Sequence, residues 1–209
     1  GGTALAPPLG PVEGGTIVTV TGQNFVNIAS LSCRFGAAHY TVIARYLTSR
    51  TLECVAPPHD AGQVAVQLSL NGQQFVNLGA TYLYHEVPII YAIDPPRGPV
   101  EGGTLMEVWG QYFSVHPAAT VVCRVGGVTV PATVRSTSRL ECLSPQNPPG
   151  YVMVEVTNNL QDFSKSGMLY TYQLISVLQV QPHFASQLGG DELTLLGTNF
   201  MPPYERDLF

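Results

Sequence analysis

The sequence predicts an all-β chain of tandem antiparallel β-sandwiches. Three observations lead to this fold class: a long internal repeat, short segments that alternate polar and apolar side chains, and the lack of any sustained helical periodicity. The segment GPVEGGT occupies residues 10–16 and recurs at residues 98–104, an offset of 88 in a chain of 209 residues. A repeat of this length is large enough to bury a core of its own, so each copy is expected to be a domain.

The offset holds over most of the repeat. Landmark residues recur at it: Phe25 as Phe113, Cys54 as Cys142, and the closing pair Tyr82 and Tyr84 as Tyr170 and Tyr172. A weaker third copy, LGGDELTLLGTNF, occupies residues 188–200. We therefore expect domain 1 at residues 1–86, domain 2 at residues 87–174, and the start of an incomplete domain 3 at residues 175–209.

The strands can be recognised from their alternation. TIVTVTG, TLMEVWG, QVAVQLSL and YVMVEVTN alternate side chains with period two and are rich in β-branched residues, which is typical of half-buried strands. About seven such strands in about 88 residues predict an immunoglobulin-like sandwich with almost no helix. Domain 1 lacks the apolar lead strand that PIIYAID supplies to domain 2, so its first strand is expected to be weak or to belong to a preceding segment.

Comparison of the repeats assigns the faces of the long strand. Val18, Met106 and Leu193 occupy the same position and are expected to face the core. By the same alternation Trp109 points outward, with Leu105 beside it. Trp109 is then either covered by a loop or an adjacent repeat, or is the anchor of an interface, and Trp109 and Leu105 are the candidate interface residues.

Four cysteines occur as two pairs at matching places in the repeats. Four cysteines allow three connectivities, but only Cys33–Cys54 with Cys123–Cys142 treats the two domains alike. The spacings within the pairs do not fit a zinc site, which usually needs one close pair of ligands. Two disulfides in small repeated domains indicate an oxidising, extracellular compartment.

Composition limits the classes of partner. Charged residues make up 11% of the chain, so the surface is unusually neutral. Either faces and edges are covered by neighbouring domains, other chains or sugar, or the surface is simply rich in Ser, Thr and Gln. The net charge of −5 argues against nucleic acid, which needs a basic face. No apolar run is long enough to span a bilayer, so any membrane attachment is expected in regions outside this segment.

The sequence contains no pattern typical of a catalytic or metal site. The five histidines do not recur at equivalent positions, and no nucleophile elbow, HExxH or paired carboxylate motif is present. Glu13 aligns with Glu101 and Glu53 with Glu141, but the Asp/Asn-rich loop of a calcium site is missing. We expect no enzymatic activity, no metal and no cofactor.

The order of motifs resembles one family. PPxxGPVEGGT, a strand closing in GxxF, then CRFG or CRVG, and then SRTLECVAPP or SRLECLSP are together similar to the IPT/TIG domain. The resemblance covers essentially the whole chain and implies sandwiches of the E-set/IPT type. The cysteine pairs match the extracellular branch of the family, in which the corresponding residues form an intradomain bridge.

The resemblance implies a structural function at the cell surface. Direct abutment of repeats is similar to the array-type surface proteins of the family, so we expect a spacer or assembly module in a large cell-surface or extracellular protein. Protein partners, or copies of the chain itself, are expected, and ciliary or flagellar surfaces are among the candidate locations. The alternatives are the stalk of a plexin-like receptor ectodomain, an accessory carbohydrate-binding module of a secreted enzyme and, last, a DNA-binding module.

Overall fold

Strands and loops make up the whole of the computed structural model, which describes residues 3–200. Within this range there is no helix, as the alternation of polar and apolar residues predicts. The expected domain 1 and domain 3 extend at residues 1–2 and 201–209 beyond the described part of the chain. None of the described segments forms a helix that could cross a lipid bilayer.

The first sandwich is built from two sheets, one with strand order β1-β3-β7-β6 and one with order β2-β9-β8-β4-β5. Its strands are β1 (Ala4–Ala6), β2 (Leu9–Pro11), β3 (Ile17–Thr21), β4 (Ser32–Phe35), β5 (Thr41–Ile43), β6 (Arg45–Thr48), β7 (Thr51–Val55), β8 (Gly62–Ser69) and β9 (Val76–His85). The lead strand β1, although only three residues long, pairs antiparallel with β3, so it belongs to this sandwich.

The second sandwich repeats this plan with its sheets joined, in the order β10-β12-β15-β14-β13-β16-β17-β11. Its strands are β10 (Ile89–Asp94), β11 (Arg97–Pro99), β12 (Leu105–Gln111), β13 (Val122–Val125), β14 (Val128–Ser136), β15 (Arg139–Leu143), β16 (Gly150–Thr157) and β17 (Met168–Gln173). The sheets are joined because β14 pairs with β13 through its first half and with β15 through its second. In the first sandwich the corresponding strand is interrupted at Ala44, which separates β5 from β6.

Each sandwich has its own hydrophobic core. Val18 and Val20 of β3, like Met106 and Val108 of β12, are fully buried, so the predicted inward face of this strand is correct in both copies. Such burial contributes about 1.5–3 kcal/mol for each large side chain. In each core one disulfide joins the two faces of the sandwich, Cys33 of β4 to Cys54 of β7 and Cys123 of β13 to Cys142 of β15.

The third repeat departs from this pattern. Its strands β18 (Ser176–Gln181) and β19 (Thr194–Thr198) pair antiparallel, as β10 and β12 do in the second sandwich. Leu193, expected to face a core, is 53% exposed, whereas its counterpart Met106 is fully buried. The expectation fails for Leu193 because the described residues contain only this hairpin of the third repeat, and no second sheet covers its inner face.

Candidate functional site: the junction between the sandwiches

The two sandwiches contact each other end to end through a loop of the second and the edge of the first. We call residues 157–163, from the last residue of β16 into the connection to β17, the junction loop. It lies against the base of the first sandwich, formed by β2 and the start of β3. The residues in contact are separated by 144 to 150 positions in the sequence, so these are long-range tertiary contacts.

The junction loop is held in shape by Asn159. Its Oδ1 accepts hydrogen bonds from Thr157 Oγ1 at 3.1 Å, from the Gln161 amide at 3.1 Å and from the Asp162 amide at 2.9 Å. An Asn side chain that accepts main-chain N–H groups two and three residues ahead fixes a tight turn. Leu160 takes a left-handed conformation at its apex, with φ of 68°. The loop therefore presents its side chains in a defined arrangement before any contact with the first sandwich.

Gln161 bonds to the main chain of Ile17 like an added strand. Its Nε2 donates to the Ile17 carbonyl at 3.0 Å, and its Oε1 accepts the Ile17 amide at 3.0 Å. These groups point away from β7, because the neighbouring Thr16 carbonyl points towards it, accepting the Ala56 amide, and the direction alternates along an antiparallel ladder. Since β1 ends at Ala6, opposite Thr19, it leaves the Ile17 groups for Gln161 to satisfy.

A second set of contacts is buried beside this one. Asn159 Nδ2 donates to the Leu9 carbonyl at 3.2 Å and to Asp162 Oδ2 at 2.7 Å. Thr16, which is only 1% exposed, donates through Oγ1 to the same Asp162 oxygen at 2.6 Å. The carboxylate thus receives hydrogen bonds from both sandwiches, and hydrogen bonds to a charged group are stronger than those between neutral partners.

Tyr82 of the first sandwich lies against this polar cluster. Burial, opposed by the hydroxyl of Thr16 and aided by the Asp162 charge, raises the pKa of Tyr82 to about 12. Gly10 leaves room for the two hydroxyls, because a Cβ there would overlap Tyr82 Oη and Thr16 Oγ1. The repeated GPVEGGT motif therefore supplies both Gly10 and Thr16 to the base, in addition to forming a turn.

Contact between the sandwiches is incomplete on one side. A cleft of about 380 Å³ lies between Pro7 and Pro8 of the first sandwich and Ala118 and Leu160 of the second. On the other side Asn158, 1% exposed, ties the junction loop to its own sandwich, since its Nδ2 donates to the Tyr112 carbonyl at 2.9 Å and its Oδ1 accepts the Ser114 amide at 3.0 Å. The loop is thus anchored at its root and docked at its tip.

The candidate interface residues, Trp109 and Leu105, both lie on β12 of the second sandwich. Trp109 is 41% exposed on the outer face of β12, and the Arg139 guanidinium lies 5.1 Å from its ring centroid, within cation–π range. Outward direction was predicted by the alternation along the strand. Leu105, at the other end of β12, is 53% exposed and occupies the position that Ile17 holds in the first sandwich.

The two strand glutamates at equivalent positions of the repeats, Glu53 and Glu141, each form a salt bridge with an arginine. Glu53 pairs with Arg45 at 3.0 Å, and Glu141 pairs with Arg135 at 2.6 Å. The hydrogen bond from Arg135 lowers the pKa of Glu141. Across residues 3–200 no three His, Cys, Asp or Glu side chains come close enough together to hold a metal ion.

Sequence reasoning missed the junction loop, although the repeat contained a signal for it. Asn71, Gln73 and Phe75 recur at the offset of 88 as Asn159, Gln161 and Phe163. The first loop has the same internal turn, with Asn71 Oδ1 accepting the Gln73 and Gln74 amides at 3.0 Å each. In both loops the phenylalanine lies under an arginine, Arg34 at 3.5 Å and Arg124 at 3.7 Å. An N-x-Q-x-F motif in both copies could have indicated a loop with a shared purpose.

Comparison with known proteins identifies the family. The profile of the IPT/TIG domain matches residues 3–84 and 88–172, which is more than half of the chain. The chain belongs to the IPT/TIG family. This agrees with the motif order and with the immunoglobulin-like fold of the two sandwiches.

The relatives of this IPT/TIG chain are large proteins of which it spans a small part. It is 25% identical over 214 residues to human Plexin-A3, covering 97% of this chain and 11% of that protein. Human Fibrocystin-L is 24% identical over 199 residues, with 95% of this chain and 4% of that protein covered. The solved extracellular region of Plexin A4 matches 93% of this chain and 17% of its own, at 19% identity and a TM-score of 0.58, which supports the fold.

Proposed function

We propose that this chain is a structural and interaction segment of a large extracellular or cell-surface protein, in which tandem IPT/TIG domains act as a spacer. The observation that carries the proposal is the junction: a preformed loop of the second sandwich binds the main chain of the first, end to end. Residues 1–86 and 87–174 are then two successive domains, and residues 175–209 begin a third. A series of such units gains reach and multivalency in place of a deep pocket.

An extracellular location fits the chemistry of the chain. Each sandwich holds a buried disulfide, which persists in oxidising compartments. The relatives support the same location, because the solved Plexin A4 chain is an extracellular region. The segment functions without a catalytic step of its own, and attachment to a membrane is made by other parts of the parent protein.

The partners of this segment are proteins, or copies of the chain itself. The outer face of β12 offers Trp109 with Arg139 within cation–π range, and both residue types are enriched at protein interfaces. The net charge of −5 makes nucleic acid a poor partner. Loss of partner binding in a Trp109→Thr variant, which carries the residue that stands at position 21 of the first repeat, would assign this face.

Small-angle X-ray scattering of the chain tests the spacer proposal. A compact globule of this length has a radius of gyration of about 17 Å. Two sandwiches joined end to end, each with a longest strand of about 30 Å, are expected to give a clearly larger value, roughly 22 Å or more. A radius near that of the compact globule, at a concentration where the protein is monomeric, would refute the spacer function.

A further inference from the structure

The second sandwich carries a base built like that of the first. Gly98 stands where Gly10 stands, and a Cβ there would overlap Tyr170 Oη and Thr104 Oγ1, just as one at Gly10 would overlap Tyr82 and Thr16. The Ser144 amide donates to the Thr104 carbonyl at 2.8 Å, as the Ala56 amide does to the Thr16 carbonyl at 2.9 Å. We call Arg97, Gly98, Thr104 and Leu105 the second base.

The second base differs from the first in being uncovered. β2 is buried along its whole length, and Asn159 of the junction loop bonds its Leu9 carbonyl, whereas in β11 Gly98 is buried and Arg97, at the place of Leu9, is exposed. Thr16 is buried, but Thr104 is only partly buried. The same backbone geometry is therefore seen once in an occupied form and once in an open form, within one molecule.

Leu105 presents main-chain groups of the kind that Gln161 satisfies at Ile17. The Thr104 carbonyl accepts the Ser144 amide and so points towards β15, and by the alternation of the ladder the Leu105 N–H and carbonyl point away from it. β10 ends at Asp94, opposite Glu107, and does not reach them. Within residues 3–200 no side chain takes the part at Leu105 that Gln161 takes at Ile17.

We propose that the second base is a docking site for the loop of a third IPT/TIG domain that corresponds to the junction loop. This inference rests on the proposed function as a tandem spacer. The hairpin β18–β19 follows the second sandwich directly and has the pairing of a domain start. Its inner face is open, because Val177 is 52% and Leu195 51% exposed where Ile90 and Val108 are buried in the second sandwich. In a complete third domain, the strands that cover this face bring the loop with them.

The chemistry of the occupant follows from the second base. A carboxamide two residues after the turn-forming Asn, as in Gln161, supplies both a donor and an acceptor to Leu105. An acceptor at the next position, as in Asp162, accepts a hydrogen bond from the Thr104 hydroxyl. Arg97 replaces Leu9 and adds a positive charge at the rim, which favours an acidic side chain in the docking loop.

Hydrogen exchange measured by NMR tests the docking. The amide of Leu105 is compared between this chain and a form continued along the parent sequence through the end of the third domain. We expect it to exchange about tenfold or more slowly in the longer form, since a hydrogen bond that contributes on the order of 1.4 kcal/mol corresponds to a factor of ten. The Ile17 amide, already bonded to Gln161 Oε1, is the internal reference and should be protected in both forms.

Gln161→Ala in this chain is the matched control. It should release the Ile17 amide and leave the Leu105 amide unchanged. Equal exchange at Leu105 in the two forms, with the third domain folded, overturns the docking, as does protection at Leu105 that appears only at high protein concentration and so comes from a second copy. A parent sequence without a third domain also overturns it. The scattering experiment tests the spacer function independently of this docking, because a chain can be extended while its second base stays open.

Discussion

The junction makes a quantitative prediction for Gln161→Ala. The change removes two hydrogen bonds at 3.0 Å, to the amide and to the carbonyl of Ile17. It leaves the turn of the junction loop intact, because the Gln161 main-chain amide still donates to Asn159 Oδ1. The variant therefore weakens the contact between the sandwiches and should do little to either sandwich alone.

The expected cost of Gln161→Ala is about 1–2 kcal/mol. A neutral hydrogen bond contributes roughly 0.5–1.5 kcal/mol net, and these two are partly accessible to water, so the sum falls in the lower part of its range. For a domain of this size, with a urea slope of about 1 kcal/mol/M, the less stable sandwich should unfold at roughly 1–2 M less urea. The spread of orientations between the sandwiches should widen at the same time.

Urea denaturation followed by circular dichroism and by fluorescence is the assay. Trp109 is the single tryptophan of the chain and reports on the second sandwich, while circular dichroism reports on both. Gln73→Ala is the control, because Gln73 holds the same place in the equivalent loop of the first sandwich, where the described residues contain no neighbouring sandwich to dock on. Equal shifts for the two variants, or no shift in any transition of Gln161→Ala, would show that the junction contacts do not couple the sandwiches.

Three further predictions concern the cores. Gly98→Ala forces a Cβ onto Tyr170 Oη and Thr104 Oγ1 and should destabilise the second sandwich by about 1–3 kcal/mol, seen as a lower thermal midpoint in Trp109 fluorescence; an unchanged midpoint would contradict the overlap. The pKa of Tyr82 is raised from 10.0 to about 12, so the folded state favours the neutral phenol. Its contribution to the free energy of unfolding is therefore complete below pH 10 and is lost as the pH rises towards 12, by about 3 kcal/mol at most. Tyr82→Phe should flatten the alkaline denaturation curve, and an identical curve would count against this assignment. Reduction of Cys123–Cys142 should lower the free energy of unfolding by about 3 kcal/mol, as measured by denaturation with and without reductant, and no change would mean that the bond does not constrain the unfolded chain.

Local patterns were sufficient for the fold because a sandwich strand is encoded in its own residues. Met106 and Val108 alternate with Glu107 and Trp109, and this period of two assigns the buried and exposed faces of β12 without knowledge of its neighbours. The repeat offset then carries the same assignment to β3. Leu193 shows the limit of this reasoning, since a face becomes a core only when other strands cover it.

Repetition in the sequence thus established the family, the two sandwiches and the direction of Trp109, because each depends on spacing along the chain. The junction was decided only by the tertiary structure. Gln161 bonds to the main chain of Ile17, and Asn159 bonds to the Leu9 carbonyl. Because every residue carries a main-chain carbonyl, the sequence does not indicate which of these groups will be bound. The N-x-Q-x-F motif shows that both loops are alike, but its free groups acquire a function only where the base of another sandwich lies within hydrogen-bond distance.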